Sequence, residues 1–299
     1  MTVYVARHDM DPDNTGLRVT EADLKRQIGR REDLVESTVD DASEIGSCTG
    51  PAFLGAEIAL LLDPPARDLE TWEAWTVAMQ FHNAVFALSE AEKDSTVEYR
   101  IDQQVRTLTS PGLLHAANVG TWESAFYLAV TCRANAHAET LCRVSPDRLR
   151  RAGEGGGITH NEFSFHLAAA WQAYVNGTPD LVPELRQAME LSDPRRGAFG
   201  GEYLDLVSFP QMDVFRLLLT GDAAAFNDGL AQALESFKRY QTREDAPAGV
   251  HGVVPLGLLA IACLAYDKAR TTPDFTLDVE SEYLPKHIVE RSWYGEFPV

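Results

Sequence analysis

The stretch from Phe163 to Gly177, FSFHLAAAWQAYVNG, decides the fold class. Phe163, His166, Leu167, Ala170, Trp171 and Tyr174 recur at i, i+3, i+4, i+7, i+8 and i+11, the spacing that puts side chains on one face of a helix. The stripe stops at Asn176-Gly177, where glycine can take the left-handed conformation that closes a helix. Thr178 and Pro179 follow, a capping residue and a proline suited to the first turn of a second helix. Read outward from here, the pattern predicts two antiparallel helices joined by a tight turn.

The same grammar recurs along the chain. Trp72, Trp75, Met79, His82 and Phe86 form a stripe between Leu69 and Leu88. Trp122, Phe126, Ala129 and Val130 begin another, and Phe226, Leu230, Ala233, Leu234 and Phe237 a fourth. Thr20, with Asp23 three residues on, is a capping-box variant. Ser145-Pro146 and Gly221-Asp222 mark further helix starts and stops. Alternating apolar runs are nearly absent, and the best is Phe275, Leu277 and Val279. The prediction is an all-α protein: an irregular array of antiparallel helical hairpins, partly repeat-like but without a strict period, with at most a short C-terminal extended segment. It is read as a single helical domain over 1–299, with Arg150 to Gly157, RRAGEGGG, as a flexible glycine-rich loop between two halves. No Gly-Lys-Ser/Thr follows these glycines and no strand precedes them, which argues against a phosphate loop.

Composition narrows the function. With 299 residues, the chain can bury a core without disulfides. Its 45 acidic and 26 basic residues give a net charge of −19. Such a chain repels nucleic-acid backbones and anionic membranes, so neither is an expected partner. The acidity serves solubility, and it also suits an acidic face that docks a basic protein. The opening MTVYVARHDMDPDN has no basic region followed by an apolar stretch, so no signal peptide is read there. Val253 to Tyr266, VVPLGLLAIACLAY, is shorter than the roughly 20 residues a bilayer needs and is read as a buried helix. Cys48, Cys132, Cys142 and Cys263 are scattered without metal-like spacing and are expected to be reduced, partly buried thiols. Cytoplasmic residence is the expectation.

Candidate chemistry is sparse. Asp9, Asp11 and Asp13 resemble the start of a calcium loop, but Asn14 stands where glycine is required and Thr20 where glutamate is. His160, Glu162 and His166 form the densest polar cluster, which would serve a helical hydrolase only with a third ligand or a nucleophile. His166 lies on the Phe163–Trp171 stripe and His82 on the Trp72–Phe86 stripe, so both are expected to be core histidines. No cofactor, metal or catalytic motif is read, and an enzyme is not expected. Ser192 to Pro210, SDPRRGAFGGEYLDLVSFP, is long, aromatic-rich and poor in helix signals, and long ordered loops often bind.

The C-terminal third carries a resemblance. Gly252-VVPLGLLAIACLA-Tyr266, then Val279-ESEYLPK-His287 and Trp293-YGEF-Pro298, together with MTVYVARHDMDPDN, are similar to the actinobacterial immunity protein 49 family. The resemblance implies a cytoplasmic antidote that binds a cognate protein toxin of a bacterial polymorphic toxin system. The toxin is expected to be basic if the acidity has a binding role. On this reading the binding face includes Glu202, Tyr203 and Asp205. A helical scaffold for another protein or peptide is the alternative.

Overall fold

Each apolar stripe is buried for most of its length, and the helix that bears Trp72 to Phe86 is buried on nearly every side. A computed structural model describes residues 2–10, 20–246, 250 and 252–298, and it is predominantly all-α. Twelve α-helices lie among the described residues: α1 Glu21–Asp40, α2 Ile45–Leu62, α3 Leu69–Glu90, α4 Val119–Thr131, α5 Asn135–Leu141, α6 Pro146–Gly155, α7 Glu162–Asn176, α8 Leu181–Leu191, α9 Phe209–Thr220, α10 Ala223–Gln241, α11 Leu256–Ala269 and α12 Lys286–Val289. Four short strands accompany them: β1 Val3–Val5, β2 Thr96–Ile101, β3 Gln104–Thr109 and β4 Val279–Ser281.

The chain divides into two compact units. One comprises Val19–His160 with Trp293–Val299, and it contains α1–α6 and the antiparallel hairpin β2–β3. Its core is α3, whose stripe residues Trp72, Trp75, Met79, His82 and Phe86 are all buried, as is Phe81 on another face, packed on α2 and α4. From Ala42 to Leu62, α2 and its leading turn are long and apolar enough to cross a bilayer by length and composition. In the structure Ile45, Cys48, Ala52, Ala56 and Ile58–Leu60 on this helix are buried. The closing Trp293 returns to this unit, where its indole N–H donates to the Ala66 carbonyl at 3.1 Å.

The other unit comprises Met1–Arg18 with Asn161–Ser292 and contains α7–α12. Trp171 of α7 lies flat on Phe215 of α9, their centroids 3.6 Å apart, with Tyr174 edge-on to both. Here β1 pairs in parallel with β4, Val3 opposite Val279. The Val253–Tyr266 run becomes α11, in which Leu258–Cys263 are buried, as its unbroken apolarity requires.

The local capping signals survive in detail. Thr20 and Asp23 form a reciprocal capping box, Ser145 caps α6 above Pro146, and Asp222 caps α10 after the left-handed Gly221. Gly177 is left-handed at φ +65° and ends α7. α8 starts at Leu181, later than Thr178-Pro179 suggests, after a turn at Pro179 and Asp180.

Three expectations need correction. The extended segment near the C-terminus begins at Val279, not Phe275, which is a buried core residue. The hairpin β2–β3 adds extended structure beyond the short C-terminal segment. Arg150–Gly155 is not a loop but the second half of α6. Its glycines make room for rings: a Cβ on Gly155 would lie 2.8 Å from the His115 imidazole, and one on Gly153 would lie 3.1 Å from that of His160. Close approach, not flexibility, explains these two residues.

Candidate functional site

The segment from Ser192 to Pro210 is mostly helical, which corrects its reading as a loop. Asp193 accepts a hydrogen bond from the Arg195 amide and opens a 3-10 turn over Pro194–Arg196, which Gly197 leaves at φ +95°. Phe199 is then fixed by a side chain. Asn161 accepts its amide at 2.8 Å and donates to its carbonyl at 2.7 Å. Gly200 and Gly201, at φ +131° and +56°, turn the chain into a helical run that widens to a π-turn over Leu204–Ser208 and continues as α9. Pro210 lacks an amide hydrogen and its ring crowds the preceding turn, so a widened turn just before it is a physical accommodation. Leu204, 1% exposed, anchors the run.

Glu202, Tyr203 and Asp205 are all on the surface, Tyr203 at 45% exposure. Phe199 and Phe209 in the same segment are exposed too. The structure adds two residues that the sequence did not suggest. The Tyr203 ring meets Tyr240 of α10 edge-on at 5.3 Å, and the Arg243 guanidinium lies 3.7 Å over the other ring of that pair, Tyr240. The hint was weak: Tyr240 follows Phe237 by three residues, at the end of the α10 stripe. Charges are distributed unevenly along the segment. Arg195 is held by Asp193 at 2.7 Å, and Arg196 by Glu190 at 3.4 Å. Hydrogen bonds from Arg195 keep the Asp193 carboxyl below its usual range. Glu202 and Asp205 pair with no cation among the described residues. The surface there offers aromatic rings beside uncommitted carboxylates, a composition that suits recognition of a basic protein.

His160 falls in one compact unit, and Glu162 and His166 in the other. His160 packs against Gly120 and Gly153, and burial lowers its pKa. Glu162 is exposed. His166 is not sealed among Phe163 and Trp171 as expected. It is 30% exposed at the margin of the stripe, where its Nδ1 meets Glu184 Oε2 of α8 at 2.7 Å. His82, by contrast, is a core residue. Its Nδ1 bonds the Ala78 carbonyl at 2.8 Å, and desolvation pushes its pKa down to about 4.

The four cysteines are buried and none is in a disulfide. His137, between Cys132 and Cys142 in sequence, turns to the Tyr99 hydroxyl at 3.1 Å. Among the described residues no three His, Cys, Asp or Glu side chains are grouped to hold a metal. Asp11 and Asp13 of the calcium-like stretch lie outside the described residues.

No curated protein and no solved structure matches the chain. A family model, described as Immunity protein 49, matches residues 63–288, about three quarters of the chain. The match takes in Gly252–Tyr266 and Val279–His287, as well as the segment bearing Glu202, Tyr203 and Asp205, while the opening MTVYVARHDMDPDN and the closing Trp293–Pro298 fall outside it. With a match of this extent over an all-α chain, the protein belongs to the immunity protein 49 family.

Proposed function

We propose that this protein binds a cognate bacterial toxin in the cytoplasm and neutralises it stoichiometrically, with no reaction of its own. Family membership supports a toxin as the partner. The observation that carries this reading is the exposed Tyr203 between Glu202 and Asp205, with Tyr240 edge-on to it and Arg243 over the Tyr240 ring. Aromatic anchors bury a large area at small entropic cost, and neighbouring carboxylates steer and orient a cationic partner. A net charge of −19 extends that steering beyond contact distance.

The test is co-expression with a toxin-domain gene from the same genomic neighbourhood. Growth should be rescued and a complex should co-purify. Reversing both charges, Glu202→Lys with Asp205→Lys, is expected to weaken the complex about ten- to a hundredfold at low salt, mostly through slower association. The deficit should shrink as salt screens the charges. Unchanged association rates in the double variant would sink this placement.

A further inference from the structure

The hairpin β2–β3 is a sheet of two strands, and among the described residues nothing else pairs with it. Its register is fixed: Ile101 faces Gln104 across a two-residue turn, and Tyr99–Arg106 and Val97–Leu108 follow. In an antiparallel hairpin closed this way, these pairs exchange backbone hydrogen bonds, and the intervening pairs turn their N–H and C=O groups outward. The bond from the Ser110 amide to the Ser95 carbonyl, at 2.8 Å, continues the same alternation beyond the strands. Outward groups on β3 therefore belong to Val105, Thr107 and Thr109, and all three residues are exposed.

The two edges differ. On β2 the outward residues are Thr96, Glu98 and Arg100, and charged side chains guard an edge against pairing. On β3 they are β-branched and uncharged, with no proline. Such an edge is a template for another strand.

The edge is also held rigid. Asp102 and Gln103 form the turn at φ +52° and +62°, a conformation usually left to Asn-Gly. Buried polar groups hold it there. Gln103 donates to the Thr76 hydroxyl at 2.9 Å and accepts from the Gln80 amide at 3.0 Å, while Arg31 reaches Asp102 at 3.1 Å. A pre-ordered edge loses little entropy when a partner adds to it.

We infer that β3 is a strand-addition site, and that its occupant is an extended segment of a basic protein, the toxin. The occupant's identity rests on the toxin-binding reading; the edge itself does not. Pairing β3 with a second copy of this chain would bring together two molecules of charge −19, whereas a basic segment is attracted.

The experiment uses the full-length protein and a toxin domain from the same genomic neighbourhood, with the toxin's own active site disabled. In the free protein the amides of Val105, Thr107 and Thr109 should exchange quickly with solvent, and in the complex they should become protected. Thr107→Pro removes one outward N–H while leaving the hairpin's internal bonds, and is expected to weaken the complex at least about tenfold without changing the melting temperature of the free protein. Protection of the three amides tests the edge even if the proline variant folds poorly. A complex that leaves all three amides exchanging quickly overturns the edge while leaving the toxin reading intact. Absence of any complex with the unmodified protein overturns both. A dimer of the free protein that Thr107→Pro dissociates overturns the assignment to a foreign strand.

Discussion

Trp171→Ala is expected to cost about 3–5 kcal/mol of stability, the range for deleting a large aromatic side chain from a packed core. Trp171 is 1% exposed and lies flat on Phe215, which is itself fully buried. Truncation would uncover the Phe215 face and the edge of Tyr174, leaving a cavity between α7 and α9 that rigid helices close poorly. Because native proteins are stable by only about 5–15 kcal/mol, a loss of this size should be plain in a urea titration as a lowered midpoint. Trp171→Phe keeps a ring on Phe215 and should cost distinctly less. If the two variants were equally stable, the stacked pair would not be the centre of that core.

Trp171 is legible in sequence, and the reason is local. Trp171, Trp75, Phe126 and Phe226 each lie in a stripe of period 3.6, and a stripe needs only its own segment to be recognised. The same holds for the capping box at Thr20 and the stop-and-start at Gly221-Asp222. What escaped depends on contacts distant in sequence. β1 finds β4 from the opposite end of the chain. The hairpin was missed because its turn is Asp-Gln, without the glycine that marks such turns, and what holds it is a side-chain network from α1 and α3. His166 misled because a stripe does not reveal its own margin: one position around the helix separates a sealed histidine from one that meets Glu184.

The glycines misled in the opposite sense. In RRAGEGGG glycine suggests freedom, yet Gly155 sits inside α6 where the His115 ring leaves no room for a Cβ, and Gly153 where the His160 ring would crowd one. Glycine marks either mobility or close approach, and only the neighbour decides which. For the candidate binding face, the sequence supplied Glu202, Tyr203 and Asp205 from composition. Their company, Tyr240 and Arg243, comes from the packing of the π-turn on α10.

Glu123→Gln is expected to stabilise the protein in alkaline solution. Glu123 lies on α4, and its Oε1 is buried with no hydrogen-bond partner among the described residues. Burial pushes its carboxyl up from 4.5 to about 8. In the unfolded chain the proton leaves near the ordinary value, whereas the folded protein keeps it until about pH 8. Between those values the folded state binds more protons, so this group makes stability fall as pH rises through the window. Below pH 4.5 both states are protonated and the penalty vanishes. Above pH 8 it is complete, on the order of 3 kcal/mol, discounted because Oε1 is buried while the residue as a whole is only half-buried and solvent at its edge screens the charge. Glutamine has nearly the same shape and never ionises. The variant should therefore match the unmodified protein near pH 4.5 and exceed it progressively up to pH 8. Buried His82 acts in the opposite direction, since its depressed pKa removes stability as pH falls from 6.5 towards 4. That contribution is common to both proteins and cancels in their difference. Urea titrations at pH 4.5, 6.5 and 8.5 would measure the difference directly. Parallel stability curves for the two proteins would mean that Glu123 reaches solvent or a partner when it ionises, and that its burial carries no penalty.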